Sequence, residues 1–260
     1  MTSIATVNPV ATFSPPLVRP NIIDTLHQGR VFGPSLMWSS TWEDPEAGRQ
    51  DSISSWRTTH TGWNTQSVLS AESPLALSGL LHAAAAVRNR GERRDDGSQQ
   101  SWFLPSDRGA KKAFGYLERK LGPNRASVEH YSHIAMPIEG TPPHDDDLLV
   151  VPCQNNYGGR QDDLIHLVTG TRGFVYVTSE ELDHEDVNLQ ALDDEYRQVG
   201  QRRYRRIWLA YSRVRRAVVG AAIAYRGPRE FDFGWLANRC DIVIRPMLSE
   251  QTTASVARLL

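Results

Sequence analysis

Lysine is nearly absent from this 260-residue chain. Of its 29 basic residues only Lys111, Lys112 and Lys120 are lysine. Positive charge therefore rests on arginine, whose planar guanidinium suits two-point contacts with carboxylate or phosphate. A GC-rich genome would produce the same bias. Cysteine is scarce as well. Cys153 and Cys240 stand far apart, which excludes a disulfide framework and fits a reducing compartment. No apolar run approaches the roughly 18 residues that a membrane span needs; residues 80–87 and 217–225 are the most apolar and fall far short. The first 20 residues lack a charged start followed by an apolar core, so no secretory signal is read there, and the expected location is the cytoplasm. An excess of either sign is also missing. The net charge of −1 predicts no general attraction to nucleic acid or to an anionic membrane.

What is present is ordinary globular composition, 40% hydrophobic and 23% charged. The length suits one large domain or two small ones. Residues 1–30 are rich in Pro, Ser, Thr and Val and read as a poorly ordered tail. Residues 31–145 form an N-terminal α/β half, and residues 146–260 a C-terminal half. The proline-containing acidic loop 140–147 is the expected boundary.

In the first half, 36–42 and 54–60 read as short strands among dense tryptophans. Ser73-Pro74 opens a helix over 75–88. Residues 91–100 form a polar surface loop. A strand at 102–104 leads to a helix capped by Ser106 and stopped by Gly122-Pro123, and 128–136 reads as a strand.

The second half expects strands at 148–151 and 173–177 and a helix at 162–168. A further helix, capped by Asp186, runs to Val199 with Leu189, Leu192 and Tyr196 on one face. Residues 205–213 and 216–226 are strands joined too tightly for a crossover, so they must be antiparallel. A strand at 241–245 and a helix capped by Ser249 close the chain.

Several clusters carry residue types used in chemistry. Trp42-Glu43-Asp44 with His60 and Trp63-Asn64 is the densest. Tryptophan walls raise a carboxylate's pKa, so Glu43 and His60 are candidate acid/base groups; the same residues also read as core tryptophans beside a turn. His130, His133 and His144 with Asp145, Asp146 and Asp147 contain metal-ligand types, but residues three apart on a strand face opposite ways. Cys153 near His166 would need hydrogen-bond reach to act as a nucleophile; it also reads as a buried cysteine. Arg202, Arg203, Arg205, Arg206, Arg213, Arg215 and Arg216 form a basic stretch that could hold phosphate, or be neutralised by the acidic run over 180–195. Gly158-Gly159 and Gly170 with Gly173 lack the spacing and lysine of a phosphate loop.

The order helix, antiparallel strand pair, strand, helix over 185–260 resembles the GNAT superfamily of N-acyltransferases. The words carrying the resemblance are Val219-Gly220-Ala221-Ala222-Ile223-Ala224-Tyr225-Arg226-Gly227-Pro228 and Asn238-Arg239-Cys240-Asp241-Ile242-Val243-Ile244. Trp102-Phe103-Leu104-Pro105 and Phe114-Gly115 are similar to stretches of a group of bacterial GNAT-like proteins. The resemblance implies an α/β fold with a mixed, mostly antiparallel sheet and flanking helices. It implies acetyl-CoA or another acyl-CoA as cofactor. Ile242, Val243, Ile244 and Arg245 would lie on a splayed strand that binds the pantetheine arm. Ser249, Thr252 and Thr253 would lie in the pyrophosphate turn, where free N–H groups and the helix dipole attract anions. Residues 247–253 contain no glycine, unlike the superfamily's usual loop. The strand forming the cofactor cleft's other wall would come from the N-terminal half or from another chain, or would not exist.

The expected function is acyl transfer from acyl-CoA to an amine, with Glu43 or His60 as base. The alternative is a catalytically silent GNAT-like module that binds a protein or a phosphorylated small molecule. A small-molecule amine or a protein is the expected partner, and a homo-oligomer is compatible with either.

Overall fold

The computed structural model describes residues 36–44, 49–66, 97–103, 106, 108–130, 145–153, 160–228 and 238–259. The tail 1–30, the helix expected over 75–88 and most of the strand expected over 128–136 lie outside them. The fold is mixed α/β, with mostly antiparallel sheets and flanking helices.

The first sheet holds β1 (Met37–Asp44), β2 (Arg49–Arg57), β3 (Trp63–Gln66) and β4 (Gln99–Ser101), in that order. β1, β2 and β3 are antiparallel neighbours, and β4 joins β3 in parallel. Ser55 and Thr65 face each other across β2 and β3, and their buried hydroxyls satisfy one another at 2.8 Å. Helix α1 (Arg108–Leu121) starts just after Ser106 and stops at Gly122, whose φ of 81° suits glycine.

The second sheet holds β5 (Leu148–Pro152), β6 (Tyr204–Ser212), β7 (Ala217–Arg226) and β8 (Asn238–Ile244), all antiparallel. Between β5 and β6 run α2 (Arg160–Arg172), α3 (Phe174–Ser179) and α4 (Gln190–Gln198); α5 (Glu250–Leu259) follows β8. Ile207, Leu209, Ile223 and Val243 pack with Leu164, Leu167, Val168 and Val177 of α2 and α3 on one face. Leu148, Ala210 and Val219 pack with Val256 of α5 in a separate cluster. Each fully buried Leu, Ile or Val contributes about 1.5–3 kcal/mol. The β6–β7 register shifts after Ala210, which faces Gly220, because Tyr211 faces Val218. Val219 is the extra residue of a bulge, and Val218 and Val219 enter different clusters.

The β6–β7 turn is held from outside the hairpin. Asp147, just before β5, accepts the Val214 amide at 2.7 Å and the Ser212 hydroxyl at 2.8 Å. These bonds lower its pKa.

Residues 173–177 depart from expectation. Valine and tyrosine favour strands, yet Phe174–Ser179 is helical. Tyr176 and Val177 bury in the core against the sheet, and Tyr176 bonds Asp241, so packing overrides propensity. Helix α4 begins at Gln190, later than Asp186, because Leu189 adopts a left-handed φ of 57°. Asp186 still accepts the Ala191 amide at 2.9 Å. As the spacing predicts, Leu189, Leu192 and Tyr196 share a face, and they bury against Leu36 and Trp56. The Tyr196 hydroxyl lies 3.1 Å from the Leu36 carbonyl and 2.8 Å from that of Arg57. Helix α4 therefore joins the first sheet to the second.

Candidate functional site

The turn between α3 and α4 places two adjacent carboxylates. Its shape is set by Arg205 of β6, which is 0% exposed. Its guanidinium donates to the carbonyls of Val187, at 2.9 Å from Nε, and of Glu180. Glu181 takes a left-handed φ of 46°, and its carboxylate engages the β2–β3 loop.

Glu181 accepts the amides of His60 at 2.9 Å and Thr61 at 2.7 Å, and the Thr61 hydroxyl at 2.5 Å. His60 Nδ1 lies 3.1 Å from the same carboxylate, and its Nε2 is 3.7 Å from Asp186. The His60 ring stacks on His184 with centroids 4.3 Å apart. Burial alone would raise the Glu181 pKa, but bonds from His60 and Thr61 hold it well below the usual carboxylate range. A carboxylate on Nδ1 orients the imidazole and leaves Nε2 as the atom that exchanges a proton.

Glu180 enters a second network. It accepts Arg239 and Gln100 at 2.9 Å each, and Arg205 Nη1 is 3.8 Å away. Arg239 Nε donates to Asp241 at 3.0 Å, and Tyr176 donates its hydroxyl to Asp241 at 2.6 Å. Arg239 also sits 3.9 Å above the Tyr225 ring. Burial opposes the Arg239 charge, but Asp241 and Glu180 outweigh it and keep the pKa raised. Beside them, Asp193 holds Arg203 at 3.0 Å and Arg206 at 3.1 Å. Burial exceeds their attraction and pushes Asp193 up to about 6.

A narrow cleft lies where the sheets meet, lined by Trp56, Thr58, Glu180, Arg203, Tyr225 and the rim residue Arg226, among others. Its free volume is about 10 Å³, about enough for one water. Trp56 Nε1, Thr58 Oγ1, Arg203 Nε and the Tyr225 hydroxyl are buried without a hydrogen-bond partner among the described residues.

The residues singled out in the sequence are distributed as follows. His60 belongs to the carboxylate cluster. Glu43 pairs with Gln50, while Met37 pairs with Trp56, nearer the His60 loop. Six strand residues separate those pairs, about 20 Å, so the backbone register does not bring Glu43 to His60; the Glu43 side chain lies outside the described residues. Glu181 takes the place expected of Glu43 beside the imidazole.

Ile242, Val243 and Ile244 lie on β8. Val243 is buried, Ile242 is exposed on the other face, and Ile244 packs toward α5. The strand does not part from β7, to which it pairs from Gly220–Ile244 to Arg226–Asn238. Its other edge carries no strand among the described residues. Arg245 is exposed. Ser249 caps α5, accepting the Thr252 amide at 3.1 Å, and its carbonyl accepts Thr253. Met247 is left-handed, with φ 64°.

Cys153 is buried and pushed up to about 11 by burial, while His166 is exposed. No metal-binding group of three or more His, Cys, Asp or Glu occurs among the described residues, and His133 and His144 lie outside them. Arg203, Arg205 and Arg206 pair with the acidic run as anticipated, but Arg203 and Arg205 do so in the interior. No helix among the described residues is long and apolar enough to cross a membrane.

Glu181 as the partner of His60, Arg239 as the partner of Glu180, and Asp241 as the partner of Tyr176 were not foreseen from the sequence. One signal was available. Arg239 and Asp241 are two apart on a strand and so share a face, opposite Tyr225 and Ile223 in register.

No family model matches the chain, and no curated protein matches it. Among solved structures it is similar to a tandem GNAT protein from the clavulanic acid biosynthesis pathway, solved without AcCoA. The identity is 11% and the TM-score 0.35, over 97% of this chain and 78% of that one.

Proposed function

We propose that this chain binds an acyl-CoA along β8 and transfers its acyl group to an amine. The observation that carries the reading is the outer edge of β8, which no strand covers among the described residues and which leads directly into the exposed start of α5. An open strand edge offers peptide groups to an amide-containing arm such as pantetheine. The first N–H groups of α5 offer the matching site for pyrophosphate, with Arg245 adding charge. The seven residues of β8 span about 23 Å. An arm laid along it runs from α5 toward Asp241 and Arg239, beside the turn that carries Glu180 and Glu181. There His60, oriented by Glu181, is the candidate to take the proton released as the amine attacks the thioester. Glu43 stays a second candidate base, and Ile242, Val243, Ile244, Arg245, Ser249, Thr252 and Thr253 the cofactor contacts.

A second reading has its own support. His60 and the carboxylates around it are engaged with one another, and the α5 turn has a side-chain cap and no glycine. A module that binds a protein or a phosphorylated small molecule without turning it over would tolerate both features.

Thermal shift with acetyl-CoA and longer acyl-CoAs, followed by thiol release in the presence of amines, separates the readings. A raised melting temperature with thiol release dependent on His60 supports transfer. A shift without thiol release favours the silent module. Absence of any shift overturns acyl-CoA binding.

A further inference from the structure

The cleft between the sheets contains more buried hydrogen-bond donors than its surroundings satisfy. Trp56 Nε1 and Arg203 Nε can only donate, and both lack a partner among the described residues. Their residues are 5% and 6% exposed. Tyr225 keeps its proton, because burial and the charge of Glu180 raise its pKa well above the ordinary value. Its buried hydroxyl and that of Thr58 are also unmatched there. A buried donor left without an acceptor is destabilising, so four lining one cleft define a site for acceptor atoms.

Charge decides which acceptor. Arg203 and Arg206 share the single carboxylate of Asp193. Arg205 and Arg239 are matched by Glu180 and Asp241. Arg226, on the rim, adds a further cation with no carboxylate partner among the described residues. Of the residues that line the cleft, three carry guanidinium groups, Arg203, Arg226 and Arg239, and one, Glu180, carries a carboxylate. A neutral water accepts two hydrogen bonds, whereas an anionic oxygen accepts more and is drawn by the excess positive charge.

We infer that this cleft receives an oxyanion, a carboxylate or phosphate group of a small molecule. One oxygen enters among Trp56, Thr58, Arg203 and Tyr225, and the remainder lies outside beside Arg226. The free volume admits a single oxygen and excludes a larger group. The site adjoins the acyl end of the proposed acyl-CoA path and is distinct from its pyrophosphate end. Arg239, on its wall, stands five residues along β8 from Ile244, about 17 Å, and the inference does not depend on acyl transfer.

The test titrates the full chain, with its tryptophans nitrogen-labelled, with inorganic phosphate and separately with acetate at constant ionic strength. The Trp56 indole N–H resonance is the readout, assigned by its loss in Trp56→Phe. We expect a saturable shift with at least one of the two ions; phosphate alone or acetate alone names the ligand's anionic group. Tyr225→Phe and the rim variant Arg226→Gln should each weaken binding about tenfold while circular dichroism stays unchanged. The inference is overturned if neither ion gives a saturable shift, which leaves water as the occupant. It is equally overturned if Arg226→Gln binds as the parent does.

Discussion

At the Asn238 end of β8, Arg239 and Asp241 are held among Glu180, Tyr176 and Tyr225, and the Arg239 side chain is only 10% exposed. At the Ile244 end, Arg245 and Met247 are exposed, and Met247 is 99% so. One strand thus joins a region whose charges are fixed by one another to a region whose polar groups face outward. A buried charge survives only when paired, so the first region is tuned for structure and can serve a ligand only at its unmatched donors. The second is free to bind along its edge and helix start.

The sharpest break of this comparison is Glu180→Ala. It removes a carboxylate shared by Arg205 and Arg239, and should lower unfolding free energy by about 3–5 kcal/mol. Urea denaturation reads the change. A loss near that of the surface substitutions below would mean that the buried end is no more constrained than the exposed one.

Tyr176→Phe should come next. It leaves one oxygen of Asp241 without its 2.6 Å donor and should cost about 1–3 kcal/mol by the same measurement.

Acid titration sharpens the picture because two carboxylates act with opposite signs. Glu181 has a folded pKa below its unfolded value, as bonds from His60 and Thr61 outweigh burial. Its contribution is present above the unfolded pKa of about 4.3 and is lost as pH falls further. Asp193 is raised to about 6 by burial, so it subtracts stability as pH rises from about 4 through that value. Stability measured against pH should therefore fall less steeply at low pH in Glu181→Gln, with Asp147 still contributing to the fall, and become flatter between those limits in Asp193→Asn.

The smallest effects belong to the α5 turn. Ser249→Ala should cost about 1 kcal/mol through the lost cap. Met247→Gly should stabilise by up to about 1 kcal/mol, since a left-handed non-glycine residue is strained. Thermal melts check both signs.

Local chemistry made several of these elements readable. Ser106 and Gly122 bracket α1. The tight link after Ser212 forces β6 and β7 antiparallel. The spacing of Leu189, Leu192 and Tyr196 gives the buried face of α4. The same logic misread 173–177, where intrinsic strand preference points one way and burial of Tyr176 and Val177 the other. It also gave His60 the wrong neighbour in space, because Glu181 lies 121 positions away and no spacing rule links them. The α5 turn lay between these cases. The missing glycine was plain, but that Met247 occupies the left-handed position emerges only from the backbone.

The bulge at Val219 has a consequence for how the molecule tolerates insertion and deletion. Upstream and downstream of it, β7 obeys two different odd–even assignments, reconciled by that single surplus residue. Substituting Val219 alters volume in the α5 layer alone. Deleting it would make Val218 and Gly220 consecutive, opposite Tyr211 and Ala210, so the bulge would be erased while each layer kept its other occupants. Loss of one residue is accommodated at this point of β7, whereas the same loss between Gly220 and Arg226 would turn part of the strand over.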